Sequence, residues 1–204
     1  MYRVIKGLLI SVFVVMLTAC GGRSGGSGVG DPVRDNLGVE GDTTPSNVRV
    51  PKVQTLKKTG QTTSYYAKDD GDYQQGTTPS YTRNDVINIV TDHVTGLMWQ
   101  DNVEAKTMRK NWVDAQSYCS ALGLDGGGWR LPTRKELVGL SDYSRRNPAV
   151  NLIFVNTASD RYWSSTIYAT SFSSAWSVYF YNGGQYSDSM SNSNYVRCVR
   201  VRKT

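Results

Sequence analysis

The final third of the chain alternates apolar and polar residues, as strands with one buried face do. Residues 176–181, Trp-Ser-Val-Tyr-Phe-Tyr, place large apolar side chains at even positions and serine or tyrosine at odd positions. Residues 182–184, Asn-Gly-Gly, follow directly and are typical of a tight hairpin turn. We therefore predict antiparallel strands after residue 150, of which one face is buried and the other exposed, and a last strand over residues 195–201.

The middle of the chain shows two helical segments. The first can be capped by Asn111 and carries apolar residues at helical spacing. Those residues are Trp112, Ala115, Cys119 and Leu122. The second helix begins at Thr133, which forms a capping-box pattern with Glu136. Extended segments are expected at residues 50–56 and 86–90, so the chain predicts an α+β domain with two helices packed on short antiparallel strands.

The first twenty residues predict an exported and lipid-anchored protein. Arg3 and Lys6 precede an apolar run over residues 7–17, which is too short to span a bilayer comfortably. This order is typical of a secretory signal. Residues 17–20, Leu-Thr-Ala-Cys, resemble the lipobox of bacterial lipoproteins, which implies cleavage after residue 19 and lipidation of Cys20. The alternative is an ordinary signal peptide that happens to precede a cysteine.

Composition then divides the rest of the chain into a tether and one domain. Residues 20–48 are rich in glycine and serine and carry no apolar periodicity, which favours a flexible tether. Residues 49–204 contain nearly all of the 13 Tyr and 5 Trp and are expected to form the folded domain. Removal of residues 1–19 lowers the net charge from +6 to +4, because Arg3 and Lys6 are lost.

The cysteines suggest one disulfide. If Cys20 carries lipid, Cys119 and Cys198 remain as a pair, and export places them in an oxidising compartment. The bond would join the first helix to the last strand and stabilise the domain by about 4 kcal/mol in the chain-entropy model. Two buried free thiols are the alternative.

Five short segments of the domain are specific in combination. They are residues 94–100 (Val-Thr-Gly-Leu-Met-Trp-Gln), 112–119 (Trp-x-x-Ala-x-x-Tyr-Cys), 129–133 (Trp-Arg-Leu-Pro-Thr) with Glu136-Leu137, 162–166 (Tyr-Trp-Ser-Ser-Thr) and 196–200 (Val-Arg-Cys-Val-Arg). Together they resemble the C-terminal domain family of the Legionella collagen-like protein. The resemblance covers about residues 50–204. It implies a compact fold related to C-type lectins and the formylglycine-generating enzyme, and binding of sulfated glycosaminoglycans in adhesion. This chain has no collagen repeat, so a collagen stalk is not supported.

Charge favours a polyanion-binding surface in the C-terminal part of the domain. Residues 130–204 hold ten Lys or Arg against four Asp or Glu. Guanidinium groups bind sulfate through paired hydrogen bonds. The candidate residues are Arg145, Arg146, Arg197, Arg200, Arg202 and Lys203. The alternative is a solvated face on which Arg197 and Arg200 form internal ion pairs.

Two further sets of residues are candidates for binding. Exposed tyrosines can stack on sugar rings, and residues 159–195 resemble an antibody paratope in composition. The tyrosines concerned are Tyr168, Tyr179, Tyr181 and Tyr186. The same residues could instead serve strand propensity alone. The acidic turn of Asp69, Asp70 and Asp72 is a weak calcium candidate, with a solvated turn as the alternative.

Other residues are expected to be structural. Trp99, Trp112, Trp129 and Trp163 are spaced as core residues, and Arg130 is expected to pair with an internal carboxylate. The only histidine, His93, excludes a multi-histidine zinc site.

These observations favour a lipid-anchored binding module over an enzyme. We expect its domain to recognise glycans, including sulfated or acidic polysaccharides, and we expect no nucleic-acid partner. The first alternative is an envelope lipoprotein with a protein partner, and the second is an enzyme of the formylglycine-generating type, which would need the cysteine pair as thiols. Gly21 follows the lipidated cysteine in place of an acidic residue, which favours the outer membrane, on its periplasmic or its outer side.

Overall fold

Two sheets and four short helices make up the domain in a computed structural model that describes residues 56–202. In chain order the elements are α1 (Asp70–Tyr73), β1 (Tyr81–Asn84), β2 (Ile89–Asp92), β3 (Leu97–Gln100), α2 (Glu104–Thr107), β4 (Arg109–Lys110), α3 (Trp112–Ala121), a 3-10 turn (Leu124–Gly126), α4 (Arg134–Val138), β5 (Arg161–Tyr168), β6 (Ser171–Tyr179), β7 (Gly184–Ser189), β8 (Asn194–Tyr195) and β9 (Val199–Val201). The α+β class is confirmed, with more strand than expected. Across residues 56–202, no helix has the length and apolarity needed to cross a bilayer. The signal segment, Cys20, the tether and Lys203 lie outside the described residues.

The strands form one sheet of four and one of five. The first has the order β1-β2-β3-β9, and the second has the order β4-β8-β5-β6-β7. All pairs are antiparallel except β5 and β8, which meet in parallel at Tyr162 and Tyr195. The predicted last strand over residues 195–201 is therefore two strands, one in each sheet. Arg197 and Cys198 lie between them and are fully buried, so this segment carries the chain from one sheet to the other.

The five-stranded sheet is covered on both faces at its centre. Tyr162 and Trp163 are consecutive in β5, yet they enter two different buried clusters, because neighbouring strand residues point to opposite faces. The prediction of one buried and one exposed face is accordingly wrong: Ser177 is fully buried, whereas Trp176 is only partly so.

Local signals placed both predicted helices correctly. The Asn111 side chain accepts a hydrogen bond from the Asp114 amide at the start of α3. Thr133 and Glu136 form the complete capping box of α4. Trp99, Trp129 and Trp163 are buried as expected, and the partly buried Trp112 donates its Nε1 hydrogen to the Ser164 carbonyl at 2.8 Å.

The predicted disulfide is present between α3 and the segment before β9. The Cα atoms of Cys119 and Cys198 are 5.4 Å apart, and both residues are fully buried. The bond spans a sequence separation of 79 residues, so it restricts the unfolded chain strongly. Both cysteines belong to the second hydrophobic cluster. Within that cluster, the bond joins α3 to the segment that leads into β9.

A buried ion pair connects the remaining parts of the domain. The side chains of Asp101, directly after β3, and Arg197 are both inaccessible to solvent. The distance from Arg197 Nη2 to Asp101 Oδ1 is 3.4 Å. Asp101 also accepts a hydrogen bond from Arg83 Nε in β1 at 2.9 Å and one from the backbone amide of Val155 at 3.1 Å. Arg197 donates to the Asn156 carbonyl at 2.6 Å. One carboxylate thus holds β1, the loop around residue 155 and the segment between β8 and β9.

Loss of the disulfide should destabilise the domain without changing its fold. Replacing Cys119 and Cys198 together with alanine is expected to lower the free energy of unfolding by about 4 kcal/mol, because the closed loop is long. Urea unfolding of the double variant and of the parent protein measures the difference. A parent protein that showed two titratable thiols in its folded state would contradict the disulfide.

Asp101 and Asp85 both pair with Arg83, but only Asp101 is buried. Neutralising Asp101 should therefore lower the free energy of unfolding much more than neutralising Asp85. Asp101→Asn leaves Arg197 buried without a carboxylate, which is expected to cost about 3–5 kcal/mol of stability. Asp85 also pairs with Arg83, but its side chain is 83% exposed, so Asp85→Asn should cost less than about 1 kcal/mol. Chemical denaturation of both variants makes the comparison, and equal losses would show that Asp101 has no special role.

Candidate functional site

Strand register brings aromatic and basic side chains onto one face of the five-stranded sheet. Tyr179 in β6 lies opposite Arg161 in β5, and Ser177 lies opposite Tyr186 in β7. Directly opposed residues of antiparallel strands share a face. Arg161, Tyr179 and Tyr186 therefore stand next to one another near the end of the β6–β7 hairpin, whose Asn-Gly-Gly turn was predicted from the sequence.

These side chains form a continuous series of contacts that we call the arginine–tyrosine ladder, defined as Arg146, Tyr181, Tyr179, Tyr186 and Arg161. The Arg146 guanidinium lies 4.9 Å from the Tyr181 ring centroid. Tyr181 stacks on Tyr179 with centroids 5.6 Å apart, and Tyr179 meets Tyr186 edge-on at 6.1 Å. The Arg161 guanidinium lies 4.5 Å from the Tyr186 centroid. A guanidinium group therefore closes each end of a row of three rings.

The two arginines of the ladder differ in charge compensation. Arg161 pairs with the carboxylate of Asp188, which also accepts hydrogen bonds from Ser177 at 2.5 Å and Asn194 at 3.0 Å. Arg146 is exposed and, within residues 56–202, has no carboxylate partner. Its guanidinium donates one long hydrogen bond, 3.3 Å, to the Tyr181 hydroxyl. The ladder thus has one neutralised end and one end with an uncompensated positive charge.

The loop that carries Arg146 is fastened to the ladder through its backbone. The Asn147 amide donates to the Tyr181 carbonyl at 3.0 Å, next to the stacked ring. Arg145, on the same loop, pairs with Asp142 at 3.2 Å, and both side chains are partly exposed. Arg145 is therefore near the ladder in sequence, but its charge is partly offset.

Two arginines of the predicted basic surface are not on the surface. Arg197 is fully buried and paired with Asp101, and Arg200 is 4% exposed. The Arg200 guanidinium contacts the Asp125 carboxylate and lies 4.7 Å from the Trp129 ring centroid. The alternative of internal ion pairs is correct for both, because each has a nearby carboxylate that the sequence alone does not place. Arg202 is exposed at the end of β9 in the other sheet.

Tyr168 is separate from the other three candidate tyrosines. It pairs with Ser171 at the turn between β5 and β6, whereas Tyr179 lies at the opposite end of β6. Its ring meets Trp176 edge-on at 5.2 Å, and the Arg134 guanidinium lies 4.3 Å from that tryptophan. Three of the four predicted tyrosines are therefore brought together.

The carboxylates of the acidic turn are engaged in local hydrogen bonds. Asp69 accepts hydrogen bonds from the backbone amides of Tyr65 at 2.8 Å and Asp72 at 3.0 Å. The bond from Tyr65 is the largest cause of a lowered pKa for Asp69. Asp70 accepts from the Thr59 hydroxyl. No group of three or more acidic, histidine or cysteine side chains in residues 56–202 is arranged to hold a metal ion. The oxygens of these aspartates stabilise the turn, and the calcium assignment stays a prediction.

Arg161 and its partner Asp188 were not predicted from the sequence. Arg161 directly precedes the motif that begins at Tyr162, so the alternation of strand residues was available as a signal. Placing Arg161 beside Tyr179 also requires the pairing of β5 with β6, which no local turn signal in the sequence specified.

Arg130 pairs with Glu136, as expected for a structural arginine. The two ends of the guanidinium donate to the two carboxylate oxygens at 2.8 and 2.6 Å. Burial by itself would raise the pKa of Glu136. The hydrogen bonds from Arg130 and from the Thr133 amide outweigh burial, so the pKa lies below its ordinary value of 4.5.

Comparison with known proteins gives one family. A model described as the Lcl C-terminal domain matches residues 88–200, which is more than half of the chain and includes all five ladder residues. A search of curated proteins finds no match.

Acid should selectively remove the contribution of Glu136 to stability. Because folding lowers its pKa, that contribution is present above pH 4.5 and is lost as the pH falls through the pKa of the folded state. Glu136→Gln is expected to cost about 1 kcal/mol at neutral pH, since Arg130 is 45% exposed. Urea unfolding at pH 7 and in strong acid tests this, and a difference between variant and parent that did not shrink in acid would contradict it.

Proposed function

Because the chain belongs to the Lcl C-terminal domain family, we propose that it is a lipid-anchored binding protein whose domain recognises acidic glycans through the arginine–tyrosine ladder. The leader supports the anchor: a short apolar run followed by Leu-Thr-Ala-Cys ends at Cys20. A protein tethered to the outer membrane by lipid meets acidic polysaccharides in its surroundings. The tether of residues 20–48 then holds the domain away from the membrane.

The observation that carries the proposal is the uncompensated Arg146 at the end of three contacting rings. A guanidinium group stacked on a ring keeps its N–H groups at the rim of its own plane, where they can donate to sulfate or carboxylate in pairs. The partly exposed rings beside it offer apolar area to a sugar ring. This combination suits an acidic sugar better than a neutral one.

The ladder is held together by contacts among its own side chains. Each ring or guanidinium contact restricts the side chains involved, and Asp188 holds Arg161 through an ion pair. Side chains that are ordered in advance lose less conformational entropy on binding. The five-stranded sheet beneath them supplies a rigid support, because its centre is buried on both faces.

The state of the two cysteines also favours a binding function over a catalytic one. Chemistry of the formylglycine-generating type uses a reactive cysteine pair, whereas Cys119 and Cys198 are joined and buried. The proposal includes a C-type-lectin-like arrangement of the domain. Support for it comes from the α+β content and from the disulfide that joins a helix to the end of the chain.

Removing the charge of Arg146 should weaken binding to a sulfated glycan selectively. For residues 20–204 carrying Cys20→Ser, so that no lipid is attached, Arg146→Gln is expected to reduce heparin affinity about fivefold, equivalent to about 1 kcal/mol. Arg202→Gln is the matched control, since it removes one exposed positive charge from the other sheet. Titration calorimetry across a salt series measures both variants, and binding should weaken as salt rises.

A second variant separates the rings from the charge. Tyr181→Ala keeps Arg146 but removes the ring beneath it, so it should weaken heparin binding to a similar extent. Equal losses for Arg146→Gln and Arg202→Gln would show binding to net charge alone and would refute the ladder. Absence of heparin binding in the parent protein would refute the acidic-glycan function and would give first place to a protein partner.

A further inference from the structure

A concave site separate from the ladder lies between α4, the strands β2 and β3, and the chain segment at residues 56–59. It is a cleft of about 750 Å³, a volume typical of sites for small molecules. None of the five ladder residues, all of which are described, lines this cleft. Its apolar wall includes Leu97 in β3 and Val138 in α4.

Two buried polar side chains of the cleft have no hydrogen-bond partner. They are the indole of Trp99, at 1% exposure, and the hydroxyl of Ser141, at 8%. In residues 56–202 the other unpaired buried side-chain atoms belong to Arg197 and Arg200, whose remaining N–H groups are bonded. Trp99 and Ser141 each have a single polar side-chain atom. Among the described residues, they are therefore the buried ones whose polar side-chain atoms make no hydrogen bond at all. An unpaired buried group costs about 1–3 kcal/mol, so its retention on a cleft wall points to a ligand.

The charges around the cleft favour an anion. Its two acidic residues are already paired, Asp92 with Lys57 at 2.9 Å and Glu136 with Arg130 at 2.6 Å. Three further basic residues line the cleft, and within the described part of the chain none of them has a carboxylate partner. These are Lys58, Arg134 and Lys135.

We propose that this cleft binds a small amphipathic organic anion. An oxyanion head group meets Lys58 and Lys135, whereas the Arg134 guanidinium lies on Trp176. An acceptor oxygen receives the Trp99 Nε1 hydrogen or the Ser141 hydroxyl, and the apolar body packs on Leu97. Such a ligand compensates the two lysine charges and offers an acceptor to the unpaired polar groups of the cleft. The site is distinct from the ladder and does not depend on the glycan function.

The probe for this site is 8-anilinonaphthalene-1-sulfonate, an amphipathic sulfonate whose fluorescence rises in apolar surroundings. With residues 20–204 carrying Cys20→Ser, we expect saturable binding of one probe per chain to the folded protein. Lys135→Glu should weaken this binding at least about fivefold. Lys106→Glu is the matched control, because Lys106 is also an exposed lysine on a short helix but does not line the cleft.

A third variant distinguishes a binding role of Ser141 from a structural one. Ser141→Ala removes an unsatisfied hydroxyl, so it should weaken probe binding while the melting temperature stays equal or rises. Tyr181→Ala, which affects the ladder, should leave probe binding unchanged, so failure of either site is recognised separately.

Three outcomes would overturn the proposal. One is equal weakening by Lys135→Glu and Lys106→Glu, which would indicate binding to net charge. The second is probe binding that Ser141→Ala leaves unchanged. The third is probe binding that occurs only after residues 20–55 are removed. This result would show that the cleft binds that segment of the same chain.

Discussion

The pairing of Asp101 with Arg197 is the constraint on which the rest of the domain depends. Both groups are removed from water, and a buried charge without its partner is strongly unfavourable. The pair can form only when β3 and the segment between β8 and β9 are in their final positions. That segment also carries Cys198 and leads from one sheet into the other. The ion pair, the disulfide and the crossing between sheets are therefore satisfied together.

This constraint decides which arginines remain for function. Arg197 and Arg200 are buried inside the domain, where each contacts a carboxylate and an aromatic ring. The same combination of guanidinium and ring appears at the surface in the ladder, where Arg146 keeps its charge uncompensated. The chemistry of the side chain is identical in both places. Access to water and the presence of a carboxylate separate a structural arginine from one that can bind a ligand.

Much of the local structure could be predicted because its causes are local. Asn111 caps α3, Thr133 and Glu136 form the capping box of α4, and the turn at residues 182–184 joins β6 to β7. The errors concern long-range contacts. Ser177 was assigned to an exposed face, but a second hydrophobic cluster and the carboxylate of Asp188 cover it.

The sequence by itself determined the α+β class, the helix starts, the hairpin, the cysteine pairing and the family, since each depends on neighbouring residues or on a short list of partners. Only the tertiary structure decided that the strand predicted over residues 195–201 divides between two sheets, and that Arg197 and Arg200 are interior. It also decided that Arg161 joins three tyrosines, and that Trp99 and Ser141 line a basic cleft. The physical reason is that burial and charge compensation depend on groups that are distant in the chain and meet only after folding.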